Sequence, residues 1–331
     1  MATVIRGAQS ALILTTLLAC LCIFPTSAKA DVDPGDNYWL RQLRIHPSAT
    51  QEPAIEQATA IKTSASTPTP EAPVPAIQVA SVFPSWIPAL SPAARILLRK
   101  SIAVGHDPHL FTIAGDSNSN PLRYLGRVTS GAFNLTRYPE LGPIVTYYAP
   151  AFSHVSVAIG GGFRAADMAD ASHITGFDAC HKDEGMFACE LRTSNASIVF
   201  IELGTGDKFM WREFEHNYRV MIDYAIANSV LPVLVTKADD IESLQGGASF
   251  GYINGVIRVL AAEYQLPLLD MYAATRDLPV IPNPQLPKRP FTQFGLQDEW
   301  GYYFHLNDIG QDRHVLITLQ TLAAILTASG Y

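Results

Sequence analysis

Five short apolar runs organise the later part of the chain, at 109–114, 154–159, 197–203, 231–236 and 266–271. They are rich in β-branched and other apolar residues, the pattern of strands covered on both faces rather than half-exposed. Between them the hydrophobic period lengthens to that of a helix. Phe214, Tyr218, Met221, Ile222, Ala225 and Ile226 fall on one face, and so do Tyr252, Val256, Val259, Leu260 and Tyr264. An alanine-rich stretch over 163–171 reads as a helix after the second run. Asn307 or Asp308 is placed to cap a last helix carrying Val315, Leu316, Leu319, Leu322 and Ile325. Strands alternating with helices predict a parallel sheet with right-handed crossovers, a three-layer α/β domain spanning 83–331.

The beginning of the chain has a different pattern. Arg6 precedes an apolar run over 11–24, and Ala28-Lys29-Ala30 supplies small residues at the positions a signal peptidase reads. The run is short for a membrane span. Residues 1–30 therefore read as an export signal cleaved after Ala30. Lipoprotein processing at Cys20 and an uncleaved anchor are the less favoured alternatives. Residues 31–82 form a spacer, rich in Ala, Pro, Thr, Glu and Ser from about residue 48. Such a composition buries too little apolar area to offset the entropy of ordering, so the spacer is expected to be largely disordered.

Charge and cysteine usage narrow the function. The formal net charge is −7 with no basic cluster, which argues against a nucleic-acid partner. Cys20 and Cys22 fall in the signal segment, leaving Cys180 and Cys189 in the mature chain. In an exported protein a disulfide between them is the natural expectation. His106 and His109 have the spacing of two metal ligands but lack a third, so no metal site is assigned.

The chemistry-bearing residues follow the apolar runs. Gly115-Asp116-Ser117 closes the first, Gly160-Gly161-Gly162 the second and Gly204-Thr205-Gly206-Asp207 the third. His305 precedes the terminal helix. In a parallel α/β sheet these would meet at the carboxyl edge, where ligands bind. A serine beside an imidazole can be deprotonated and attack an acyl carbon, while backbone N–H groups at a glycine turn hold the oxyanion.

Gly115-Asp116-Ser117, the later glycine turns and His305-Leu-Asn-Asp-Ile-Gly310 together resemble the SGNH (GDSL-type) hydrolase family. The resemblance spans roughly 111–326. It implies a flavodoxin-like three-layer α/β/α fold and serine-dependent ester hydrolysis without a cofactor. Ser117 is then the nucleophile, His305 the general base, and Gly162 an oxyanion donor beside the Ser117 N–H. Two positions depart from the family pattern. Gly206 stands where an asparagine would donate to the oxyanion, and the candidates to take over that role are Asn118, which is preferred, and Asn120. Tyr302 stands where the acid orienting the histidine is expected, and Asp298, favoured over Glu299, is the substitute. The expected substrate is a small-molecule, glycan or lipid ester, including acyl groups of extracellular carbohydrate or cell-wall glycan, met outside the cell or at the cell envelope. The alternative is a degenerate member of the fold that binds glycan or lipid without turnover.

Overall fold

The computed structural model describes residues 84–174, 178–240, 242, 247–278, 296–297 and 305–330. The expected export signal and spacer lie outside the described residues, as do Asp298, Glu299 and Tyr302. Helix α1 (Pro92–Ala103) is capped by Ser91, whose hydroxyl accepts from the Ala94 N–H, with proline at its first position. Strand β1 (Asp107–Gly115) follows. Helix α2 (Met186–Ser194) leads into β2 (Ala196–Glu202), every residue of which is buried. Then come α3 (Trp211–Ala227), β3 (Leu231–Val235), α4 (Tyr252–Glu263) and a two-residue β4 (Leu268–Leu269). A short antiparallel ribbon pairs β5 (Leu296–Gln297) with β6 (His305–Leu306), and α5 (Asp308–Ser329) completes the described chain.

The four main strands are parallel, in the order β1-β2-β3-β4. On the free edge of β1, Gly115 makes one further parallel bridge, to Ile159. Counting that segment as a second strand gives the 2-1-3-4-5 order of flavodoxin-like sheets, whose switch point lies between β1 and β2 (Ala196–Glu202). Helices α1 and α5 pack on each other and on the sheet, while α2, α3 and α4 form a second packed group against it. The result is a three-layer α/β/α fold. Phe111 of β1 anchors the core: its ring meets Tyr148, Phe152 and Phe200 edge-on at 5.5, 5.7 and 5.7 Å. Among the described residues, no helix is long and apolar enough to cross a membrane.

Three expectations are corrected. The run 154–159 is not a strand beyond its single bridge. The Val157 N–H donates to the buried Glu190 carboxylate at 2.9 Å and the Ala158 N–H to Ser156 Oγ at 3.0 Å, so side chains replace the sheet ladder. The stretch 163–171 is turns rather than helix, because the Arg164 and Ala165 N–H groups donate to Asp167 and Asp207. In α4 the buried face is Ile253, Asn254, Ile257, Leu260 and Ala261, one residue round from the expected one, and Val259 is 60% exposed. Asn254 explains the rotation: its amide accepts from the Lys237 N–H at 2.8 Å and donates to the Asp239 carbonyl at 2.8 Å. Buried and fully engaged, it faces inward where an apolar count would leave it out. The Cys180–Cys189 disulfide is formed, with Cα atoms 5.4 Å apart.

Candidate active site

The end of β1 fixes the serine. Asp116 is the N-cap of a one-turn 3-10 helix, Ser117–Ser119, and its carboxylate accepts the Asn118 N–H at 2.9 Å. Burial pushes the Asp116 carboxyl up, against the pull of hydrogen bonds from the Asn118 N–H and Thr205. Ser119 folds back beneath the turn and donates to Glu202 Oε2 at 2.6 Å. A Cβ on Gly115 would stand 2.3 Å from Ser119 Oγ, so only glycine lets this turn close so tightly.

Ser117 Oγ lies 3.0 Å from His305 Nε2, across 188 residues of sequence. The segment carrying the histidine is held at several points. The Leu306 N–H donates to Asn118 Oδ1 at 2.9 Å, Gln297 pairs with His305 across the ribbon, and Asn307 caps α5 by accepting the Gly310 N–H at 2.9 Å. The Leu-Asn-Asp-x-Gly pattern is thus, in part, a helix start that follows directly on the histidine. Asn118, considered as an oxyanion donor, uses its side-chain oxygen to hold the histidine strand.

Gly162, with φ +77°, borders the same cleft as Ser117 and His305. Asp116, Gly161, Thr205, Gly206, Lys208 and Phe209 complete the lining of about 760 Å³ of open space. Gly206 has a local reason to lack a side chain. A Cβ there would stand 2.7 Å from the Gly162 carbonyl oxygen and 2.8 Å from that of Phe163. The two glycine loops therefore touch backbone to backbone, in the space an asparagine would need. Asp207 secures the contact, its buried carboxylate accepting the Ala165 N–H at 3.0 Å. Burial, with help from the nearby Asp116 and Asp167 charges, pushes the Asp207 carboxyl up to about 7.

Sequence reasoning missed the support beneath the serine turn. Besides Ser119, Glu202 meets the Tyr124 hydroxyl at 3.5 Å and His314 Nε2 at 3.3 Å. The Tyr124 and His314 rings stack 3.7 Å apart, and the Tyr124 hydroxyl also bonds Thr318 of α5. A glutamate ending an otherwise apolar strand was the available signal, because a charge enters a buried strand only where partners await it. The two candidate metal histidines have other partners. His106 is bonded to Asn195 and the Asn228 carbonyl, at 3.0 and 2.9 Å, and His109 to the Tyr147 carbonyl at 3.0 Å. Among the described residues no group of three or more His, Cys, Asp or Glu side chains is arranged to hold a metal ion.

No protein-family model matches the chain, and no curated protein does. Similar solved structures are GDSL-like lipases, esterases and acylhydrolases. One is a GDSL-like lipase from Bacteroides thetaiotaomicron, 12% identical, covering 70% of this chain and 97% of its own, with a TM-score of 0.39. TesA is 15% identical, covering 65% and 99%, with a TM-score of 0.40. An acetyl xylan esterase is 16% identical, covering 63% and 96%, with a TM-score of 0.37. At these identities and TM-scores the likeness carries no weight for activity, and the fold stands on its own strand order.

Proposed function

We propose that the protein is a serine-dependent ester hydrolase of the SGNH type. The observation that carries this reading is the 3.0 Å contact between Ser117 Oγ and His305 Nε2 at the carboxyl edge of the sheet, facing a glycine turn. In the reaction His305 Nε2 takes the Oγ proton as Ser117 attacks the ester carbonyl carbon. The N–H groups of Ser117 and Gly162 receive the negative charge that develops on the carbonyl oxygen. Collapse of the tetrahedral intermediate expels the alcohol, protonated by His305, and leaves an acyl group on Ser117. Water, deprotonated by the same imidazole, then attacks the acyl-enzyme and restores the serine.

Asp298 is assigned to orient the imidazole. The pairing of Gln297 with His305 supports this choice, since Asp298 is the next residue in the chain. With glycine at position 206 the oxyanion has one side-chain donor fewer than the family pattern, a loss that typically costs about 10²–10³ in rate. We assign the enzyme to the outside of the cell, exported by cleavage after Ala30. The disulfide supports an oxidising compartment. Its substrates are then acyl esters of extracellular carbohydrate, cell-wall glycan or lipid.

Hydrolysis of short-chain nitrophenyl esters by the wild-type protein and Ser117→Ala tests the reading. We expect kcat to fall by about 10³-fold or more in the variant, which removes the nucleophile. Equal rates in the two proteins would rule the mechanism out.

A further inference from the structure

The cleft that holds Ser117, Gly162 and His305 also carries a lysine. Among the described residues that line it, Lys208 is the one lysine or arginine. It belongs to the turn Gly206–Phe209, which begins at the position where the family pattern has an asparagine. The turn is pinned on two sides. Asp207 accepts the Ala165 N–H, and the Lys208 carbonyl accepts the Ala248 N–H at 3.0 Å. A Cβ on Gly247 would stand 2.5 Å from that same oxygen, so the chain before α4 closes directly on position 208. The ammonium is placed by its own surroundings. Lys208 Nζ lies 5.2 Å from the ring centre of Phe209, itself part of the cleft wall. The neighbouring carboxylates Asp239 and Glu242 are bound directly by the buried Lys237, at 3.0 and 2.6 Å.

Such a group suits a site where negative charge forms. Burial holds the Lys208 ammonium below its usual pKa, while Asp239, Glu242 and Asp116 draw it up and Lys237 pushes it down. A cation with little water around it gains more from a new negative charge than one in open solvent. We propose that Lys208 is a third oxyanion donor, supplying from position 208 the side chain that Gly206 lacks. The close backbone contact that bars a side chain at 206 does not bar one at 208, and the lysine stem is longer than that of asparagine. As Ser117 attacks, the carbonyl oxygen takes the negative charge, and Nζ donates to it beside the N–H groups of Ser117 and Gly162. The proton stays on nitrogen. When the alcohol leaves, the electron pair returns to the carbonyl and Lys208 ends the step as it began. This inference rests on the ester-hydrolase reading and adds a catalytic residue to it.

The test measures kcat and KM on neutral nitrophenyl butyrate and on the anionic nitrophenyl hemisuccinate. It uses the full chain, Lys208→Arg, Lys208→Gln, Lys208→Met and Ser117→Ala, with a thermal melt of each. Lys208→Met should lower kcat on both esters about 10²-fold, with KM for butyrate little changed. Lys208→Arg keeps the charge and should stay within about tenfold of wild type, and Lys208→Gln, a neutral donor, should fall between the two. A kcat on butyrate that Lys208→Met leaves within about twofold of wild type would overturn the proposal. So would an effect confined to KM for the hemisuccinate, which would make Lys208 a binder of substrate charge. A kcat that follows the melting temperatures of the variants rather than their donors would overturn it as well. These three outcomes leave the hydrolase reading intact so long as Ser117→Ala abolishes turnover. Hydrolysis of no ester, or hydrolysis indifferent to Ser117, would overturn both.

Discussion

The two sides of the cleft are built by different means. On the serine side a regular strand runs into a tight capped turn, and its backbone groups are spent on the sheet and on Asp116. On the glycine side the chain from His154 to Asp170 makes one bridge to the sheet and is otherwise held by local turns and by carboxylates from other parts of the chain. Glu190 receives the Val157 N–H and His154 Nε2, Asp167 receives Arg164, and Asp207 receives Ala165. Both sides lean on a buried carboxyl that burial pushes up, Asp116 under the serine turn and Asp207 at the glycine loop, but the serine turn is also anchored by the peptide ladder of β1. The glycine loop should therefore be the more sensitive of the two to pH.

That difference can be broken at particular residues. The largest expected effect is at Asp207. Its folded-state pKa of about 7 lies above the ordinary aspartate value of 3.8, so the folded protein holds a proton that the unfolded chain has lost. Its contribution to stability is fully present below pH 3.8 and is lost as pH rises through about 7, a change on the order of 4 kcal/mol. Asp207→Asn keeps an acceptor for the Ala165 N–H, and thermal melts from pH 4 to 8 should show a flatter decline than wild type. A parallel pair of curves would show that Asp207 does not hold this proton.

Glu190→Leu comes next. It leaves the Val157 N–H, His154 and Thr112 without their shared acceptor, and urea unfolding should show a loss of about 3 kcal/mol. Glu190→Gln should recover part of it.

Gly206→Asn sharpens the comparison from the other direction. It restores the side chain of the family pattern, yet its Cβ would strike the Gly162 and Phe163 carbonyls. We expect a loss of about 2 kcal/mol in stability and a slower enzyme. A faster one would mean the loops separate easily. On the serine side, Glu202→Leu should lower kcat about tenfold with KM little changed, because Ser119 loses the acceptor that keeps the turn closed, a change worth about 1.4 kcal/mol. Rescue by Glu202→Gln would separate positioning of the turn from a general loss of packing.

Much of this arrangement was legible beforehand, for identifiable reasons. Strands β1, β2 and β3 were visible because fully buried parallel strands need continuous apolar sequence, and α5 because Asn307 signals its start. The pairing of Ser117 with His305 followed from motifs at the ends of such elements. The run 154–159 misled because Val155, Val157 and Ile159 have a strand's alternation, while the acceptors that draw its backbone away, Ser156 apart, come from elsewhere in the chain. The stretch 163–171 misled in the same way, its alanines favouring a helix until Asp207 claims the Ala165 N–H. In α4 two apolar faces lie side by side, and only the distant Lys237 and Asp239 backbone selects the one containing Asn254.

By itself, then, the sequence determined which segments enter the core and which glycine, serine and histidine motifs stand at the ends of those segments, because burial and motif spacing are local properties. The tertiary structure alone decided what holds the glycine loop, why position 206 carries no side chain, and what closes on Lys208 at the cleft. Each of these depends on carboxylates, carbonyls or N–H groups contributed by separate parts of the chain. No periodicity within a segment records which distant group its backbone will meet.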